Sequence, residues 1–145
     1  MFLFAAPRLF MLYSTKKDIR RILFNSSDNL DVVLPVRGLS DVLAIDYDIN
    51  SHLVFWIDGI SKTIRCSFQN GTNAKIIRLD TGAVPYDLAI DSYGQQMFWT
   101  DTASNSIKVY SLKNSTNLGV VFREDNVYPR SIVLHPEKGD RKSVV

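Results

Sequence analysis

The chain has 145 residues, a formal net charge of +2, 46% apolar residues and one cysteine. That length makes one domain the default, and the apolar share is enough to bury a core. The near-balanced charge implies no nucleic-acid or membrane-surface partner, and a lone Cys66 excludes an internal disulfide and a cysteine-based zinc site.

Residues 1–8 read as a lead-in. The apolar start through Tyr13 lacks a basic n-region and a small-residue cleavage site, and Pro7 and Arg8 interrupt it. A strand is therefore favoured over a signal peptide. No stretch reaches the roughly 18 apolar residues of a membrane span. Helical periodicity is absent, and β-branched and aromatic runs dominate. Strands are predicted at residues 9–13, 19–24, 30–36 and 42–46, then at 52–57, 63–68, 74–79 and 85–91. A further set covers 96–100, 106–110 and 118–122, and residues 129–135 open another unit. Clusters of Asn, Asp, Ser, Gly and Pro separate them. Asn70-Gly71-Thr72 is a hairpin turn, because Asn-Gly readily takes positive φ. The basic run Lys16-Lys17-Asp18-Ile19-Arg20-Arg21 is broken by an acid and an isoleucine and reads as a solvated strand face. Cys66 reads as a partly buried free thiol, a mild argument against oxidising surroundings.

One phrase occurs twice. Val54-Phe55-Trp56-Ile57-Asp58 and Met97-Phe98-Trp99-Thr100-Asp101 lie 43 residues apart. The aromatic pair suits a buried strand, and the aspartate falls where the strand ends, able to accept backbone N–H bonds from the turn. Ile64 and Ile107 repeat the spacing of 43, and Pro85 and Pro129 lie 44 apart. Ala44-Ile45-Asp46 and Ala89-Ile90-Asp91 align at 45. Asn25, Asn70 and Asn114 are 45 and 44 apart, and each begins an Asn-x-Ser/Thr sequon. A period near 44 with four short strands per period is the pattern of a β-propeller blade. The fold class is all-β.

Catalytic and metal signatures fail on inspection. Asp46-Tyr47-Asp48-Ile49-Asn50 opens like a calcium loop, but Ser51 and Ile57 stand where glycine and glutamate are needed. His52 and His135 are the only histidines, and neither sits in a nucleophile motif. No phosphate loop or paired-cysteine motif exists, and no cofactor is implied.

Phe55-Trp56-Ile57-Asp58 and Phe98-Trp99-Thr100-Asp101 resemble the Tyr-Trp-Thr-Asp signature of LDL-receptor class B repeats. The stretches from Pro85 to Asp91 and from Pro129 to His135 resemble the strand that precedes it in each repeat. Two longer stretches, residues 9–22 and Ala44 to Asp48 running on to Ile64, resemble the Wnt co-receptor branch of the LDL-receptor-related proteins. The resemblance implies a six-bladed propeller. It makes Phe55, Trp56, Asp58, Phe98, Trp99 and Asp101 structural rather than catalytic.

The resemblance covers residues 9–139, leaving 140–145 as a divergent tail. Six blades need roughly 260 residues. The expectation is therefore an incomplete six-bladed propeller: two full blades, three outer strands of a preceding blade and one further inner strand. Ile57 replaces the usual threonine and loses one hydrogen bond, and His135 replaces an aspartate.

By the same resemblance, ligands dock over the propeller mouth. That points to Lys16, Lys62 and Arg130, although some family propellers carry an acid where this chain has Lys62. The implied partners are secreted proteins such as Wnt proteins or their antagonists, bound by a membrane-anchored extracellular receptor. In that setting Asn25, Asn70 and Asn114 are exposed glycosylation acceptors. The rival readings are a calcium-dependent propeller hydrolase and a truncated product with no function of its own.

Overall fold

A computed structural model describes residues 9–24 and 30–135. Eleven strands follow in chain order among these residues. They are β1 (Phe10–Ser14), β2 (Ile19–Leu23), β3 (Asp31–Val33), β4 (Val42–Asp48), β5 (Leu53–Asp58) and β6 (Thr63–Phe68). Then come β7 (Lys75–Ile77), β8 (Pro85–Asp91), β9 (Gln96–Asp101), β10 (Ser106–Ser111) and β11 (Thr116–Arg123). They form three antiparallel meanders, ordered β1-β2-β3, β4-β5-β6-β7 and β8-β9-β10-β11. This is an all-β partial propeller with two four-stranded blades and one three-stranded blade.

Alternation explains which face each strand buries. On β5, Phe55 and Ile57 face the third sheet, and together with Ile64 and Cys66 of β6 they pack with Leu88, Met97, Trp99 and Tyr110. Val54 and Trp56 face the first sheet and pack with Ile19, Leu34 and Val42. A strand buried on both faces needs a continuous apolar run, and β5 and β9 are such runs.

Several sequence expectations need correction. β4 continues to Asp48, so its pairing register makes Asp48, not Asp46, the counterpart of Asp91. The 45-residue alignment of Ala44-Ile45-Asp46 with Ala89-Ile90-Asp91 matched similar letters on different rungs. β3 and β7 are shorter than predicted, at three residues each. β11 begins at Thr116, two residues into the predicted loop. Residues 129–135 are not a strand, since a ladder needs a partner and none lies beside them among the described residues.

Cys66 is fully buried rather than partly so, at 2% exposure. The basic run is only half solvated. Arg20 pairs with Asp18 and Asp31, and Arg21 donates to Gln69 Oε1 at 2.8 Å. The lead-in 1–8, Asn25 and the tail 140–145 lie outside the described residues.

Candidate functional site

Asp58 and Asp101 each close a strand, and the chain around them is folded onto their carboxylates. Asp58 Oδ1 accepts from the N–H groups of Ile60 (2.9 Å) and Ser61 (3.1 Å), and its Oδ2 accepts from Ser40 (2.8 Å). Asp101 Oδ1 accepts from Val84 N (3.0 Å) and Ala103 N (2.9 Å), and its Oδ2 accepts from Ser104 Oγ (2.9 Å). Each aspartate thus ties the turn after its own strand to the segment entering the inner strand of the same sheet. Burial pushes both carboxyls up, but the donors outweigh it and hold both below the usual carboxylate range. A carboxylate with its lone pairs already occupied is a poor acid, base or metal ligand.

The two copies differ in their cation. Lys108 lies opposite Trp99 in the register, and Arg65 lies opposite Trp56. Lys108 Nζ reaches Asp101 Oδ2 at 2.8 Å and sits 5.3 Å from the Trp99 ring centroid. Arg65 instead donates through Nε to Thr63 Oγ1 at 3.1 Å.

Trp56 and Trp99 are 2% and 0% exposed, and Phe55 and Phe98 are buried beside them. Thr100 Oγ1 accepts from Asp87 N (3.1 Å) and donates to Arg130 O (2.8 Å). Ile57 occupies the same rung and can make neither bond. Burial pushes the Cys66 thiol up, against a smaller opposing effect of Lys75.

The inner strands β4 and β8 carry four more carboxylates, of which Asp46 and Asp87 reach across to the next segment. Asp46 accepts from Tyr47 N and, across to the next sheet, from Ile90 N, both at 2.7 Å. Asp87 accepts from Leu88 N (2.8 Å) and from Ile132 N (2.9 Å). Asp46 is raised, first by burial and then by the charges of Asp87 and Asp48, with its two N–H partners working the other way.

The three proposed contact residues come to one end of the sheets. Lys16 lies in the β1–β2 turn, and its carbonyl accepts from Val42 N at 2.9 Å where β4 starts. Lys62 lies in the β5–β6 turn at φ 56°. That turn is tied to the start of β4 by Gly59 N to Asp41 O at 2.8 Å. Arg130 enters the 129–135 segment with its guanidinium 6.0 Å from the Tyr86 ring. All three are exposed, and no hydrogen bond joins one to another. Asn70 and Asn114 lie in turns at the other end, after β6 and β10.

The sequence reading missed the mouth positions that are not basic. Val42, Pro85 and Pro129 are equivalent, so the next residue of each unit, Leu43, Tyr86 or Arg130, occupies one ring of positions. Leu43 and Tyr86 are 42% and 43% exposed, and Ile60 beside Lys62 is 70% exposed. The signal for Tyr86 was present, because it directly follows Pro85 as Arg130 follows Pro129. Lys108 gave no signal, since a lysine inside a strand looks like any solvated rung.

No protein-family model matches the chain. It is 37% identical to human low-density lipoprotein receptor-related protein 5 over 92% of its length, and 36% identical to the mouse protein over the same share. The chain spans about 8% of the length of these relatives. Among solved structures it superposes on a YWTD propeller in the nidogen/laminin complex with a TM-score of 0.72 and 23% identity. That match covers 86% of this chain and 48% of the other. A second match, virginiamycin B lyase from Staphylococcus aureus, has a TM-score of 0.64 and 15% identity over 84% of this chain and 40% of the other. At these identities the structural matches carry the fold alone.

Proposed function

The chain belongs to the LDL-receptor class B repeat family, and from that premise we propose that it is a non-catalytic, extracellular protein-interaction module of a receptor. The observation that carries this reading is the division between the two ends of the sheets. At one end Leu43, Tyr86, Arg130, Lys16 and Lys62 offer apolar, aromatic and basic groups together. At the other end lie the sequons of Asn70 and Asn114, where glycans would leave the mouth clear. Aromatic and arginine side chains are the usual anchors of protein interfaces. Residues 9–139 form the interaction unit, and its partners are secreted proteins of the Wnt class or their antagonists.

The non-catalytic part of the reading is supported by the inner carboxylates. Asp46 and Asp87 lie on the inner strands β4 and β8, and both are already tied to backbone N–H groups. A calcium-dependent hydrolase would need such groups free.

Immobilised chain titrated with purified Wnt proteins and their antagonists tests the proposal. Tyr86→Ala and Arg130→Glu are expected to weaken binding at least tenfold, and Asn70→Gln to leave it unchanged. Binding that survives the first two substitutions, or no binding by any of these partners, would sink the reading.

A further inference from the structure

The repeat supplies its own control for the gaps between sheets. Ile19, Ile64 and Ile107 share a rung of β2, β6 and β10, so Arg21, Cys66 and Val109 share another. By the same pairing Tyr47 of β4 corresponds to Ile90 of β8, and Gln69 after β6 corresponds to Leu112 after β10. Between the second and third sheets these positions are apolar. Cys66 is buried there in the core, and Ile77, Ile90 and Leu112 pack against it. Between the first and second sheets the same places hold Arg21, Tyr47 and Gln69.

That second gap is left open. It holds a cavity of about 530 Å³, lined by these three side chains and walled by the apolar groups of Leu34, Pro35 and Phe68. The size is that of a small-molecule site. His52 and Asn70, both exposed, stand at its rim in the turns after β4 and β6. The cavity therefore lies toward the end of the sheets away from Lys16, Lys62 and Arg130.

Arg21 is the guanidinium among the described lining residues, and its surroundings prepare it for an anion. Its Nη1 donates to Gln69 Oε1 at 2.8 Å, which holds the guanidinium in place, while its Nε is buried without a hydrogen-bond partner. No carboxylate among the described residues forms an ion pair with it. A sheltered cation without a counter-charge is costly, and the planar donor fork of arginine fits a carboxylate. Tyr47 Oη lies 3.1 Å from His52 Nδ1. With the phenol donating, His52 carries its proton on Nε2 and adds a donor at the rim.

We propose that this cavity binds a small organic carboxylate, with the carboxylate on Arg21 and the apolar body against Leu34, Pro35 and Phe68. A phosphate would bring a second negative charge to a cavity that offers one guanidinium. The site is apart from the mouth, so it stands or falls independently of any protein bound there.

The 145-residue chain is titrated calorimetrically with phenylbutyrate, with its neutral amide and with inorganic phosphate. The acid is expected to bind roughly tenfold or more tightly than the amide, as a hydrogen-bonded charge pair requires. It is also expected to shift the Arg21 Nε–H resonance in a proton–nitrogen correlation spectrum. Arg21→Met is expected to remove the preference for the acid with an unchanged circular-dichroism spectrum. Gln69→Leu, which puts the residue type of Leu112 in its counterpart's place, releases the guanidinium and is expected to weaken binding while the sheets stay folded. No binding at millimolar phenylbutyrate, equal affinity for acid and amide, or phosphate bound as tightly as the acid overturns the proposal. So does a preference for the acid that survives Arg21→Met or, where that chain does not fold, survives Gln69→Leu.

Discussion

Lys108 Nζ lies 2.8 Å from Asp101 Oδ2, with the carboxylate side chain 2% exposed and the lysine side chain 12% exposed. The ammonium also reaches Asp80 Oδ2 at 3.2 Å and covers the face of Trp99. Burial lowers the lysine's proton affinity, but the bond to Asp101 and then that to Asp80 more than reverse this. Removing one member of a buried pair leaves the other charge uncompensated. Lys108→Met, which keeps the stem over the indole, is expected to cost about 3 kcal/mol in urea denaturation. Lys75→Met, on an exposed outer rung, should stay within about 0.5 kcal/mol.

Acid should weaken this fold through some aspartates and not others. Asp48, Asp58 and Asp101 sit below the usual carboxylate range. Their contribution is present above the unfolded value of about 3.9 and is lost as pH falls through the folded values. Asp46 has the opposite sign. Its raised value means that the folded chain holds the proton more tightly, so ionisation weakens the fold as pH rises through the carboxylate range. Asp101→Asn is expected to cost about 1–3 kcal/mol at pH 7, with the difference shrinking as pH falls below about 3. Asp46→Asn, which keeps an acceptor for Ile90 N, should be neutral or mildly stabilising at pH 7. Urea midpoints at the two pH values check both.

Thr100 is the bolt between the third sheet and residues 129–135. Thr100→Val keeps the shape and removes both bonds, leaving Asp87 N without its acceptor. A loss of about 1–3 kcal/mol is expected. Amide exchange at Ile132 should rise more than exchange at Ile90, which depends on Asp46 instead.

Gly71 is the least replaceable turn residue. It takes φ +80°, and a Cβ there would lie 2.1 Å from the Pro35 carbonyl oxygen. The obstacle is backbone, so it cannot rotate away. Gly71→Ala is expected to cost about 3 kcal/mol or more, from left-handed strain together with overpacking. Gly82, also at positive φ, has nothing within 4 Å of the added carbon and should lose only the strain component. Thermal melts of the two variants separate the terms.

The repeat was legible because its two carriers answer to local physics. Trp56 and Trp99 must be buried, and Asp58 and Asp101 must find donors where their strands end. β6 and β8 were read to the residue, and β5 and β9 to within one residue. What escaped depends on registers that only pairing creates. Asp46 and Asp48 are both aspartates two residues apart, and nothing local says which is the counterpart of Asp91. The role of Lys108 arises from lying opposite Trp99 while reaching Asp101, seven residues earlier. The segment at Pro129 carries strand letters, but a strand is a relation between two segments, and the letters describe one.

The bond from Ile90 N to Asp46 has a consequence for how damage spreads through the arc. Each sheet touches its sequence neighbours, so cohesion is a chain of pairwise terms, as in other repeat proteins. The middle sheet, flanked on both sides, should open last, and its β5 amides should set the slowest exchange rate in the molecule. A lesion in β10 would then loosen its own sheet and leave β1 and β2 nearly untouched. The protein fails in units of one repeat, which lets a single blade position vary without unsettling the rest.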